Sequence, residues 1–386
     1  MSTKSSGTLR SPTLTQWLAD QPHTTDPEHL AELTGTATVV GFGTTTREAH
    51  EIFRLVEAAT LALADRGFRT VALLENPRVT ALFDMFVTGE TIDIDAALSQ
   101  AWGPVQTQEM RAALTTLREW NAARKTDPVR IIGVTDETAL ISDYDQVVEL
   151  VGAIDPDVVG EVADLLDTVR VAHDGGEHVE RAKGTHPGTP FVDLAKEARA
   201  KVSTLPDSPD RAAALELLRH IVTYHGNAIG VGYDSAKEER QAANRILDHH
   251  RNTGARVVLW EGSAHTAAHP APSVGAFLRQ ELRDDYLAVH VTFGQGTVER
   301  TVIPAPRTDS LEGHLAAAEG PRTVDLRSAP GSVVPDLSRS WLTRLISGMY
   351  DPSEDHKHYF EFTLADAFDA LVYIPTITPT QSLGET

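Results

Sequence analysis

The chain has 386 residues, is 41% hydrophobic and carries a formal net charge of −21. That length supports a sizeable buried core, and the acidity argues against nucleic acid or an anionic membrane surface as a partner. The absence of cysteine excludes disulfides, thiolate catalysis and cysteine-ligated zinc. No apolar run reaches the roughly 18 residues of a membrane span, and no signal-peptide pattern opens the sequence, so a cytoplasmic protein is expected.

Residues 1–30 read as a polar tail running into a short helical stretch. Residues 37–42 form the first apolar strand. An amphipathic helix follows, with Ile52, Phe53, Val56, Ala59 and Leu63 at three- and four-residue spacing. Thr45 and Glu48 stand at capping-box spacing before it, and Arg66-Gly67 closes it. Residues 70–75 give a second strand. Strand, helix and strand in succession predict a parallel βαβ unit with a right-handed crossover.

A third strand is expected at 130–134. From 141 to 252 helical patterns follow one another without a convincing strand, which predicts a helical insertion. The sheet resumes at 255–260 and 287–291. Residues 301–380 mix short strands and helices, a small C-terminal α+β part, and the last ten residues read as a loose end. The expected architecture is therefore α/β: a mainly parallel sheet flanked by helices, with its core in 31–140 and 253–300.

In an open parallel sheet, ligands bind beyond the carboxyl ends of the strands. That rule selects Thr44, Thr46 and Arg47 after the first strand, and Glu75 at the end of the second. It adds Asp136 after the third strand and Glu261, Ser263 and His265 after the fourth. His50, at the start of the first long helix, joins the candidate substrate contacts. A carboxylate, an imidazole and a guanidinium on one edge suit acid–base work and the holding of an anion. Each residue also has a plain structural reading, Glu75 as a cap and Arg47 as a helix-surface cation. Arg47 stands where the helix dipole disfavours a cation, which points to an ion pair or a function.

Other signals are weaker. Gly41-Phe42-Gly43 imitates the opening of a dinucleotide fingerprint but lacks its third glycine and the following acid. Ser263 sits in a turn without the Gly-x-Ser-x-Gly elbow. His249-His250 and the pair His356 and His358 have no third ligand at diagnostic spacing, so neither a metal nor another cofactor is expected.

In this order the segments resemble the erythromycin esterase family. The resemblance runs from about residue 30 to 380. It is carried by residues 39–43, by 67–75 and Thr88-Gly89, and by 117–121, 128–133 and 255–260. Residues 293–297, Tyr350-Asp351-Pro352 and 367–371 complete it. It implies a metal-independent enzyme that opens a macrolide lactone with water activated by histidine and glutamate in a deep cleft.

The first family motif, Gly-Glu-Ala-Thr-His-Gly, aligns with Gly43-Thr44-Thr45-Thr46-Arg47-Glu48, so Thr44 replaces the glutamate and Arg47 the histidine. Glu75 matches the second glutamate. The family's Trp-Ala-His-Asn-x-His becomes Trp260-Glu261-Gly262-Ser263-Ala264-His265, which keeps the second histidine alone. Arginine is no general base near neutral pH. Glu75 and His265 are therefore expected to act as base and orienting partner, with Glu261 as a replacement carboxylate. Arg47 is expected to hold an anionic group or an oxyanion. The expected function is a divergent enzyme of secondary metabolism acting on a natural-product-like small molecule, by ester or lactone hydrolysis or by another acid–base reaction. The alternatives are an inactive binding protein that keeps the cleft and, less favoured, a nucleotide-binding protein.

Overall fold

The computed structural model describes residues 13–170, 175–346, 348, 350 and 351–384. Its centre is an eight-stranded sheet. The strands are β1 Val39–Thr44, β2 Phe68–Leu73, β3 Arg130–Gly133, β4 Arg256–Gly262, β5 Tyr286–Val298, β6 Thr301–Ile303, β7 Arg322–Asp325 and β10 Ala370–Ile377. They lie in the order β3-β2-β4-β1-β5-β10-β7, with β6 paired to β5. The five pairings from β3 to β10 are parallel. Only β6 and β7 pair antiparallel in this sheet. A separate hairpin joins β8 Ser340–Arg344 to β9 Tyr359–Thr363.

Burial on both faces makes the central strands nearly continuous apolar runs. One face packs Val40, Phe42, Val258 and Val289 against Ile52, Val56, Ala59 and Leu63 of the helix His50–Asp65. The other packs Val39, Leu259 and Ala288 against Ala242, Ala243, Ile246 and Leu247 of the helix Ser235–Thr253. Gly67, with φ +94°, ends the first of these helices in the left-handed region that glycine tolerates.

The predicted helical stretch divides in two. The helices Asp143–Ile154, Val159–Arg170, Phe191–Ser203 and Pro209–Gly226 build a core of their own around Tyr144, Val151, Leu166, Phe191 and Leu218. The helix Ser235–Thr253, also read as insertion, returns to cover the sheet.

The expected short helical stretch is present, the C-terminal part joins the central sheet, and the expectation of a loose end is corrected. The polar tail contains the helix Leu14–Ala19, whose Leu14, Trp17 and Leu18 enter the main core. The buried Arg322 donates to the carbonyls of Ala19 and Gln21 and holds that helix in place. The C-terminal α+β part joins the central sheet, because β10 lies beside β5 and brings β7 into it. The loose end is laid along the body: Thr378 N donates to Glu51 at 2.7 Å, and Gln381 N to Glu109 at 3.0 Å.

Candidate active site

The carboxyl ends of β1, β2 and β4 come into register, with Gly43 opposite Glu261 and Leu73 opposite Trp260. A side chain at Gly43 would collide with Thr266 and would stand 2.8 Å from Ser263 Cα. Glycine there lets the turn after β4 pack directly on β1.

The helix after β1 starts later than the capping-box spacing predicts. Its N-cap is Ala49, which has no side-chain cap bond. Thr45 instead continues the sheet edge, its N–H and hydroxyl both donating to Val291 O at 3.1 Å. Thr46 Oγ1 accepts from Glu48 N at 3.2 Å. This four-residue delay frees Thr44, Thr46 and Arg47 to line a cavity rather than form a helical turn.

That cavity has a volume of about 80 Å³. Its wall is largely apolar, with Phe53, Val56, Leu73, Met110 and Trp260. Thr44, Thr46, Arg47, Glu75 and Glu261 supply the polar groups. Arg47 forms an ion pair with Glu261, and its guanidinium lies 5.0 Å from the Trp102 ring centre. Burial lowers the guanidinium to about 10, so it is still cationic at neutral pH. Burial likewise raises the Glu75 carboxyl. The two Glu75 oxygens accept from Asn76 N at 2.6 Å and Trp102 N at 2.8 Å, which ties the end of β2 to the Trp102 segment.

Leu74 and Trp102 also line a second, more polar compartment of about 450 Å³. Thr135 and Asp136 reach it from the end of β3, Tyr224 and Asn227 from the insertion side, and Tyr233, Glu238 and Glu239 from the start of the helix Ser235–Thr253. Asp136 is paired with Arg245 of that helix. His265 bonds through Nδ1 to Glu239, a buried residue whose second oxygen accepts from Val274 N at 2.7 Å. Nε2 of His265 has no partner among the described residues, and the side chain is 32% exposed.

The expected pairing of Glu75 with His265 is therefore corrected. Glu75 is engaged by backbone amides, and the carboxylate on His265 is Glu239. Ser263 lines neither compartment. It is buried, with Oγ 2.8 Å from His290 Nδ1, and His290 stacks on Phe368. Nor does His50 line them; its Nδ1 lies 2.8 Å from Glu109 Oε1, at the joint between two helices and the C-terminal segment. Sequence reasoning missed Glu239 and Trp102. Glu239 is one acid in a helix rich in charge, and Trp102 lies in an irregular segment, so neither carries a motif. Among the described residues no cluster of three or more histidine or acidic side chains is arranged to hold a metal ion.

The erythromycin esterase family model matches residues 63–377. The chain belongs to the erythromycin esterase family. Membership makes hydrolase-like chemistry its coarse functional class. Among solved structures, a protein of Bacillus cereus is 18% identical with a TM-score of 0.65, covering 96% of this chain and 100% of that one. A succinoglycan biosynthesis protein is 15% identical with a TM-score of 0.66, over 96% of this chain and 99% of its own. A mutant of the erythromycin esterase EreC in its open conformation is 16% identical with a TM-score of 0.58, over 93% and 95%. At such identities these likenesses describe the fold. No curated protein matches the chain.

Proposed function

We propose that the chain is a divergent erythromycin-esterase-like hydrolase that cleaves an ester or lactone in a natural-product-like small molecule of secondary metabolism. The observation that carries this reading is the gathering of Thr44, Thr46, Arg47, Glu75 and Glu261 on one apolar cavity that shares Leu74 and Trp102 with the polar compartment; His265 lines neither, and meets the second only through Glu239, which lines it. The apolar wall suits the hydrocarbon part of such a molecule. His265 Nε2 takes a proton from water as the water oxygen bonds to the acyl carbon. The acyl C–O bond then breaks, and the proton passes to the departing oxygen, giving an acid and an alcohol. Arg47 stabilises the oxyanion that forms on the way.

The test is turnover of a panel of aryl esters and macrolide lactones in ¹⁸O-water, followed by mass spectrometry. The expected product acid gains one ¹⁸O. A product of unchanged mass, from cyclisation, or an acid that carries no ¹⁸O, from elimination, overturns hydrolysis. A second reading, a binding protein without turnover, is favoured by one feature: Glu75 and Arg47 are both already engaged inside the protein. Tight ligand binding with no product from any substrate of the panel supports it.

A further inference from the structure

We propose that Glu239 is the positioning residue that fixes the tautomer of His265, keeping the Nδ1 proton in place and the Nε2 lone pair free. The inference deepens the hydrolase reading and rests on it for the rate it predicts, but not for the tautomer. Glu239 belongs to the helix Ser235–Thr253, whereas His265 belongs to the short helix after β4. The contact therefore joins a covering helix of the sheet to the strand-end edge.

The Glu239 carboxylate has two oxygens and only accepts. Oε2 receives the N–H of Val274, the first residue of the helix Val274–Leu282, at 2.7 Å. That N–H can only donate. Oε1 faces His265 Nδ1. A ring nitrogen facing a carboxylate oxygen must bring the proton, so Nδ1 is the protonated nitrogen and Nε2 the acceptor. Glu239 is buried, so water does not readily replace either bond.

Glutamine at this position keeps the shape but supplies a single oxygen. The Val274 N–H claims it, since the opposite placement sets a buried donor against a donor. The carboxamide NH₂ then faces Nδ1, which must accept, and the proton moves to Nε2. The ring can no longer take a proton from water there.

The experiment uses the full chain labelled with ¹⁵N-histidine, in alkaline buffer. Long-range ¹H–¹⁵N correlations read which nitrogen carries the proton. The His265 signals are assigned by their loss in His265→Gln. Wild type is expected to show a protonated Nδ1 and a bare Nε2, and Glu239→Gln the reverse. The other histidine signals report that the variant is folded. On any ester the wild type cleaves, Glu239→Gln is expected to lower kcat on the order of 10²–10⁴-fold with KM nearly unchanged.

A proton on Nε2 in wild type overturns the proposal without any variant, and so does one tautomer shared by both proteins. A reversed tautomer with unchanged turnover supports the role of Glu239 and removes His265 from the chemistry, which is the failure of the functional reading instead.

Discussion

The two halves of the cleft are built differently. The smaller half is made by strand ends and the helix His50–Asp65, and its charges meet inside an apolar wall. The larger half is made by the end of β3 and by helices from the 220–240 region; its Glu239 is buried, while its Asp136 is partly exposed. Each half is lined by the carboxylate of an arginine–carboxylate pair: Glu261 with Arg47 in the first, Asp136 with Arg245 in the second. The side chains of the first pair are 22% and 7% exposed, those of the second 36% and 25%. The fold depends on the first pair more than on the second. A buried charge that loses its partner keeps its desolvation cost, whereas a solvated one recovers water.

The largest expected effect follows directly. Arg47→Met strands Glu261 in the apolar wall and costs roughly 3–5 kcal/mol in urea unfolding. The double variant Arg47→Met with Glu261→Leu recovers most of that loss. Additive losses would show that the two side chains do not act as a pair.

A smaller effect comes from beneath the site. Burial lowers the His290 imidazole from 6.5 to about 3. Below 6.5 the unfolded chain binds a proton at this position that the folded chain refuses. The stability this neutral histidine contributes is therefore full above 6.5 and is lost as pH falls towards 3. Its share is about 1.4 kcal/mol per pH unit within that window. The stability of His290→Phe is expected to fall less steeply with acid between pH 6 and 4 than that of wild type, by about that slope. Identical slopes would mean that His290 is not buried neutral.

The smallest effect belongs to the solvated pair. Asp136→Asn is expected to cost at most about 1 kcal/mol, and less as salt is raised. A loss as large as that of Arg47→Met would erase the contrast between the halves.

The same contrast explains what the sequence made legible. The parallel sheet and its strand ends were readable because burial on both faces writes continuous apolar runs. From them the strand-end rule placed Thr44, Thr46, Arg47, Glu75 and Glu261 on one cavity, and Asp136 on the other. The second half was mostly silent. Glu239 is selected by a contact across the fold, and its helical pattern differs little from that of any solvated charged face. The capping box failed because the Thr45 hydroxyl found a partner in Val291, across the sheet, that local spacing does not reveal. Ser263 failed for a related reason: a residue at a strand end faces the ligand or the core according to a side-chain direction that spacing alone does not fix. The burial of the N-terminal helix was not legible, because three apolar residues in a polar stretch gain meaning only from the surface that receives them.

Hydrolysis with His265 as the base is tested most directly by the kcat/KM of wild type and His265→Ala on one ester that the wild type cleaves. A fall on the order of 10²–10⁴-fold is expected in the variant, with the fold retained. Equal kcat/KM in the two proteins would contradict it.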